Sequence, residues 1–112
     1  MKFELVQNER LLFKRHYRGM VVRLTNYRLV ICQLPWILRG GLLELVFGDY
    51  KDISTQFLAN EIQNFSSTRK FFQDYIEVVD IKGQKSKIPV KNKQDMQQYL
   101  TWYENVVKGI VS

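Results

Sequence analysis

Cationic side chains dominate two segments of this chain, and capture of an anion is the chemistry that they could perform. Every charged residue between positions 10 and 39 is basic, and so is every charged residue between positions 82 and 93. Arginine binds phosphate or carboxylate through forked hydrogen bonds, and lysine attracts the same groups as a point charge. With a formal net charge of +6, the protein should attract nucleic acid, acidic lipid or an acidic protein. The alternative is that these side chains are solvated and serve solubility.

Catalysis and metal binding find little support in the residue types. Cys32 is the only cysteine and His16 the only histidine, so no internal disulfide can form and no zinc site is expected. Gly40-Gly41 is not followed by the Lys-Ser/Thr pair of a phosphate-binding loop. We therefore expect no enzymatic activity, no cofactor and no bound metal, and we expect Cys32 to pack as a small apolar residue.

A second candidate surface is the apolar segment Trp36-Ile37-Leu38 beside Arg39. An apolar loop next to a cation can insert into a membrane interface, where tryptophan is favoured. The same residues could instead pack on the domain or form a homodimer contact. Residues 36–47 are therefore the alternative interaction segment, for a protein partner or a second copy of the chain.

The elements that must position these residues are mostly short β-strands. Alternation of apolar and polar residues, bounded by turn residues, predicts seven of them. These are Leu11–Tyr17, Met20–Thr25, about Arg28 to Leu34, Ile53–Leu58, Glu61 to Thr68, Tyr75 to Ile81 and Lys85–Val90. The conformation of residues 35–58 is the least readable, because the apolar run from Leu42 to Phe47 suits either a strand or a short helix.

The clearest local signal is the hairpin around Thr25-Asn26-Tyr27-Arg28-Leu29. Strand-like alternation flanks Asn26, a residue that tolerates the left-handed backbone of a short hairpin turn. Leu11, Phe13, Arg15 and Tyr17 are expected on one face of the first strand, the face assigned to the core, with Lys14 on the other.

One amphipathic helix should close the chain. Asn92 is a suitable N-cap, and Asp95 would lie near the positive end of the helix dipole. An apolar stripe then recurs at helical spacing, in Met96, Tyr99, Leu100, Tyr103, Val106, Val107 and Ile110. The stripe could bind a partner helix or a membrane, but the strands need a cover for their inner face. We expect one domain, residues 1–112, that is a small antiparallel barrel or sandwich capped by this helix.

This layout resembles the pleckstrin-homology (PH) superfold, in particular its GRAM-like and bacterial PH branches. The resemblance is carried by Asn8-Glu9-Arg10 before the first strand and by the segment from Gly19 to Val30. Together they resemble the family pattern of an acidic residue, a strand, a glycine, a strand ending in threonine, a turn and Arg-Leu. Glu61-Ile62 resembles the acidic-Ile step before the fifth strand, whereas the segment from Pro35 to Asp52 departs from the pattern.

The resemblance implies a scaffold that binds phosphoinositides, anionic lipid head groups, phosphopeptides or protein surfaces. In a PH-like topology, the turn after the first strand and the last hairpin turn lie at the same end of the barrel. Five cations would then form a basic rim there: Lys14, Arg15, Arg18, Lys82 and Lys85. We refer to these five residues as the predicted rim.

The sequence thus predicts a non-catalytic binding or scaffolding module that captures an anionic lipid head group or an acidic peptide. A weak single-stranded nucleic-acid binder is the second alternative, because aromatic residues interleave with the basic strands. The N-terminus lacks the apolar region of a signal peptide, and no window reaches the roughly 20 apolar residues of a membrane span. We therefore expect a cytoplasmic protein, free or peripheral to a membrane.

Overall fold

The computed structural model describes residues 1–33 and 51–111. The strands in these ranges are β1 Leu11–Tyr17, β2 Met20–Thr25, β3 Arg28–Gln33, β4 Ile53–Leu58, β5 Ile62–Lys70, β6 Gln73–Asp80 and β7 Lys85–Val90. A 3₁₀ turn, Ala59–Glu61, follows β4. The chain ends in helix α1, Lys93–Trp102, a π-helical turn, Tyr103–Val107, and a last helical turn, α2, Lys108–Val111.

The strands form two antiparallel sheets, and one helical segment follows them. The first sheet has the order β1-β2-β3-β4 and the second the order β5-β6-β7. This arrangement confirms the predicted fold class, and the described strands do not close into one continuous barrel. The element order is also compatible with a PH-like fold. Contacts divide the chain into two compact units, Met1–Gln56 and Phe57–Ser112.

In the first unit, strands β2 and β3 are buried on both faces. Val22, Leu24, Leu29 and Ile31 form one buried apolar face. The register pairs Val21 with Cys32 and Arg23 with Val30 on the opposite face, where Phe3 from the N-terminal segment packs on them. The predicted packing of Cys32 is confirmed, because its side chain is buried in this cluster.

The β2–β3 hairpin forms as predicted, but Asn26 does not supply its left-handed residue. Among the described non-glycine residues, only Asn8, Arg18, Phe71 and Phe72 have positive φ. The turn is organised by Thr25 instead, because its hydroxyl oxygen accepts hydrogen bonds from the backbone N–H groups two and three residues ahead, each at 3.0 Å. The side chain of Asn26 faces the N-terminal segment, accepting from the Arg10 N–H at 2.6 Å.

In the second unit, two hairpins make the sheet. The β6–β7 turn lies where Lys82-Gly83-Gln84 predicts it, and Gly83 takes a φ of 84°. The β5–β6 hairpin is longer than predicted: β5 continues to Lys70 and β6 starts at Gln73. Only Phe71 and Phe72 remain for its turn, because the register pairs Lys70 with Gln73.

The C-terminal helix begins at the predicted N-cap, where the Asn92 side chain accepts a hydrogen bond from the Asp95 N–H at 2.8 Å. Its buried positions differ in part from the predicted stripe. Tyr99 and Val107 are buried as expected, but Trp102, which the stripe omitted, is also buried. The π-helical turn inserts one residue into the helical repeat. The buried position after Trp102 is therefore Val107, while Val106 is half-buried.

None of the helices within the described ranges is both long and apolar enough to cross a lipid bilayer.

Candidate anion-binding cleft

A cleft of about 400 Å³ lies in the first unit, between the N-terminal segment, strands β1 and β2 and Lys51, which lies shortly before β4. Three of its described lining residues are cationic: Lys14, Arg23 and Lys51. The remaining lining residues are one acid and three apolar side chains, Glu4, Phe3, Leu5 and Leu11. The cleft therefore combines positive charge with apolar walls, which suits a ligand that carries both an anionic group and carbon-rich parts.

The wall formed by the N-terminal segment is held by backbone pairing. The Phe3 N–H donates to the carbonyl of Lys51 at 2.6 Å, and the Ile53 N–H donates to the carbonyl of Met1 at 2.7 Å. Lys2 and Asp52 form an antiparallel bridge between these bonds. The pairing fixes Lys51 and Phe3 beside one another, although 48 positions separate them in the sequence.

Arg23 forms the floor of the cleft. The residue is only 2% exposed to solvent. Its guanidinium carbon lies 5.0 Å from the centroid of the Phe3 ring. One guanidinium N–H donates to the Cys32 sulfur at 3.3 Å. A buried cation oriented by an aromatic face and a sulfur acceptor is a preorganised group, because little side-chain entropy remains to be lost on binding.

Lys14 lies directly across from Arg23 in the antiparallel register of β1 and β2. An anion placed in the cleft would interact favourably with both side chains, and Lys51 adds a third cation. The cross-strand pair of cations is therefore the strongest sign of an anion site in the described part of the chain.

A buried ionic network holds the N-terminal segment on the same sheet face. The Glu9 carboxylate accepts from Arg28 Nε at 2.8 Å and Nη2 at 3.1 Å, and from the Thr25 hydroxyl at 2.6 Å. Arg28 also donates to Gln56 Oε1 at 2.9 Å and to the backbone carbonyl of Glu4 at 2.8 Å. The network thus ties β2, β3 and β4 to the segment that forms one wall of the cleft.

The network sets the charge state of Glu9. Burial alone would raise the pKa of this carboxyl, but hydrogen bonds from Arg28, Thr25 and the Val6 N–H outweigh burial and leave the pKa below its ordinary value. Burial raises the pKa of the Cys32 thiol, against the opposing influence of Arg23. Glu9 is therefore ionised and Cys32 protonated at neutral pH.

The residues of the predicted rim are distributed between the two units. Lys14 points into the cleft, whereas Arg15 belongs to the opposite, half-buried face of β1, where its guanidinium carbon lies 5.3 Å from the Phe13 centroid. Arg18 occupies the β1–β2 turn with a φ of 33°. In the second unit, Lys82 lies in the β6–β7 turn beside Glu61, at 3.6 Å, and Lys85 is the exposed first residue of β7. The rim as one surface stays a prediction.

The other predicted interaction residues, Trp36, Ile37, Leu38 and Arg39, lie outside the described residues, as does the remainder of segment 36–47.

Sequence reasoning missed most of the cleft. Lys51 and Phe3 carried no local signal, because their roles arise from pairing between distant segments. Glu9, Thr25 and Arg28 did carry a signal, since all three belong to the PH-like pattern, but the pattern gave no indication that they bond to each other. Across the described ranges, no group of three histidine, cysteine or carboxylate side chains is placed to hold a metal ion.

No protein-family model matches this chain, and no curated protein sequence shows significant similarity to it.

Proposed function

We propose that this protein is a non-catalytic binding module of the PH-like type, whose first unit captures the anionic head group of a lipid in the cleft. The observation that carries the proposal is the juxtaposition of Lys14 and Arg23 on neighbouring strands, with Lys51 beside them. The apolar wall residues would contact the glycerol and the first carbons of the acyl chains. No bond is made or broken in this mechanism.

The size of the cleft favours a head group over a whole lipid. Its volume of about 400 Å³ lies near the lower end of the range for small-molecule sites. A phosphate that carries a glycerol unit would place its charge on the cations and its carbon atoms against Phe3 and Leu5. An acidic peptide offers the same charge without the acyl carbons, so the apolar wall favours the lipid.

The test is calorimetry with a short-chain phosphatidic acid, used below its micelle concentration. Removing both exposed cations in the Lys14→Ala/Lys51→Ala variant should weaken binding about tenfold or more, because charged hydrogen bonds contribute roughly 1.5–3 kcal/mol each. The matched control is Lys87→Ala/Lys108→Ala, which removes the same charge from exposed positions of the second unit. Equal binding by both double variants would refute the proposal.

The predicted rim gives a different outcome in the same assay. An Arg15→Ala/Arg18→Ala/Lys85→Ala variant leaves the described cleft lining intact. If the cleft is the site, this variant should bind the short-chain lipid like the wild type. Loss of binding in this variant alone would move the site from the cleft to the rim.

A further inference from the structure

The tip of the β5–β6 hairpin presents two adjacent phenylalanines to solvent. Phe71 is 86% exposed and Phe72 is 93% exposed. They are the whole turn, since Lys70 and Gln73 are the last paired residues of the two strands. The tip therefore carries a large apolar area at the apex of a hairpin whose strands have nine and eight residues.

These residue types do not suit the turn that they form. Phe71 has a φ of 52° and Phe72 a φ of 65°, which are left-handed conformations that bulky residues rarely adopt. Two-residue turns with positive φ at both positions prefer Asn-Gly. Neither ring gains burial within the unit that would offset the strain, so local folding does not explain the aromatic pair.

Cations surround the same end of the sheet. Arg69 and Lys70 immediately precede the tip, and the Lys70 ammonium lies 5.8 Å from the centroid of the Phe71 ring. The register pairs Asp74 with Val90, so Lys91 continues β7 at this end, and Lys93 opens helix α1 just beyond it. All four cations are exposed. The Asp74 carboxylate lies 3.9 Å from the Arg69 guanidinium.

We propose that this hairpin tip docks on an anionic lipid bilayer, with Phe71 and Phe72 entering the interfacial region and the four cations facing the head groups. Aromatic rings and basic residues together are the composition of interfacial anchors. A convex apex with both rings projecting suits a deformable lipid surface. Single-stranded nucleic acid is instead bound in grooves whose cations follow the strand. The proposal is independent of the cleft in the first unit.

The first experiment is co-sedimentation with vesicles of phosphatidylglycerol and phosphatidylcholine. The Phe71→Asn/Phe72→Gly variant keeps a favourable turn, and its partition coefficient should fall about tenfold or more, because burial of an aromatic side chain contributes that much affinity. In the Arg69→Ala/Lys70→Ala variant, the partition coefficient should fall about fivefold for each cation removed. The matched control is Ile81→Ser, which removes an apolar side chain 64% exposed at the other turn of the sheet.

The second experiment locates the tip directly. A Phe72→Cys variant is labelled with an environment-sensitive fluorophore, while Cys32, which is fully buried, stays unlabelled in the folded protein. The emission should shift to the blue on addition of the anionic vesicles and stay unchanged with phosphatidylcholine alone. A probe at Gln97, on the exposed face of α1, should not shift.

Three results would overturn the proposal. The first is that Phe71→Asn/Phe72→Gly partitions onto the vesicles like the wild type. The second is that the emission of the probe at position 72 does not shift. The third is that the tip variant loses binding to an oligonucleotide and keeps binding to vesicles. Thermal unfolding of each variant confirms that the fold is retained. Failure here is distinguishable from failure of the cleft, because the tip variant should bind the short-chain phosphatidic acid like the wild type.

Discussion

The two units bury their polar groups in different ways. In the first unit, Glu9 bonds to Thr25 and Arg28, which lie 16 and 19 residues away. In the second unit, buried Asp80 accepts from the backbone N–H groups of Lys82 and Gln84, at most four residues away. The first unit therefore adds ionic contacts between distant segments to its apolar core, whereas the second combines local caps with an apolar and aromatic core.

The difference in how the two units bury polar groups bears on which unit can orient a binding group. A buried ionic network fixes the direction as well as the position of its groups, and in the first unit it holds the N-terminal segment that forms one wall of the cleft. The aromatic core of the second unit, in which Phe65 stacks on Tyr103 with centroids 4.9 Å apart, is non-directional and provides stability. The second unit exposes the strained β5–β6 hairpin tip to solvent, and the stability of the aromatic core offsets the free-energy cost of that strain.

The largest effect should follow truncation of Trp102 in the aromatic core. Trp102 is 4% exposed, and its ring centroid lies 5.8 Å from that of Phe65. Trp102→Ala should lower the free energy of unfolding by about 4 kcal/mol, measured by urea denaturation followed by circular dichroism. Phe72→Ala, which truncates an exposed ring of the same unit, is the control and should change little. Equal effects would show that the core does not depend on Trp102.

Removal of Glu9 should produce the next largest effect. Glu9→Ala leaves the buried Arg28 guanidinium without its carboxylate, and breaking a buried ion pair costs about 3 kcal/mol or more. The control is Glu4→Ala, because Glu4 contributes its backbone carbonyl to Arg28 and not its side chain. Urea denaturation compares the two variants. A Glu9→Ala protein as stable as Glu4→Ala would contradict a stabilising role of the network in the first unit.

Acid should weaken the first unit through the same carboxyl. Because the folded pKa of Glu9 is lowered, its contribution is fully present above the unfolded value of about 4.3 and is lost as the pH falls through the folded pKa. The stability difference between wild type and Glu9→Gln should therefore shrink below about pH 4. Urea midpoints measured across this pH range test the sign, and a difference that grows in acid would contradict it.

The smallest effect has the opposite sign. Phe71→Asn/Phe72→Gly should raise the free energy of unfolding by about 1–2 kcal/mol, because it relieves left-handed strain at two bulky residues. Thermal denaturation measures the gain. An unchanged or lowered stability would mean that the turn carries no strain, and would remove one reason to seek an external role for the aromatic pair.

The contrast between the units also explains what could be predicted from the sequence. The strands, the β6–β7 turn and the N-cap at Asn92 depend on neighbouring residues, and these predictions were confirmed. The burial of Arg23 and the pairing of Phe3 with Lys51 depend on contacts across dozens of residues, for which a single sequence gives no register. Charge alone therefore favoured anion binding but did not select the residues that line the cleft.

Two local features escaped prediction for another reason. Phe71-Phe72 contradicts the residue preferences of its turn, so the predicted strands stop at Thr68 and resume only at Tyr75. The π-helical turn at Tyr103–Val107 breaks the regular helical spacing, so the buried position after Trp102 is Val107. In each case the local preference is overridden. The hairpin register fixes the turn, and packing against Phe65 fixes the helix.

The most direct test of the cleft is an amide chemical-shift titration of the full chain with the short-chain phosphatidic acid. Saturable shifts are expected for the amide resonances of Phe3, Glu4, Leu5, Leu11, Lys14, Arg23 and Lys51. The zwitterionic phosphatidylcholine of equal chain length should not shift these resonances. Absence of saturable shifts at these residues, or equal shifts with both lipids, would contradict anion capture by the first unit.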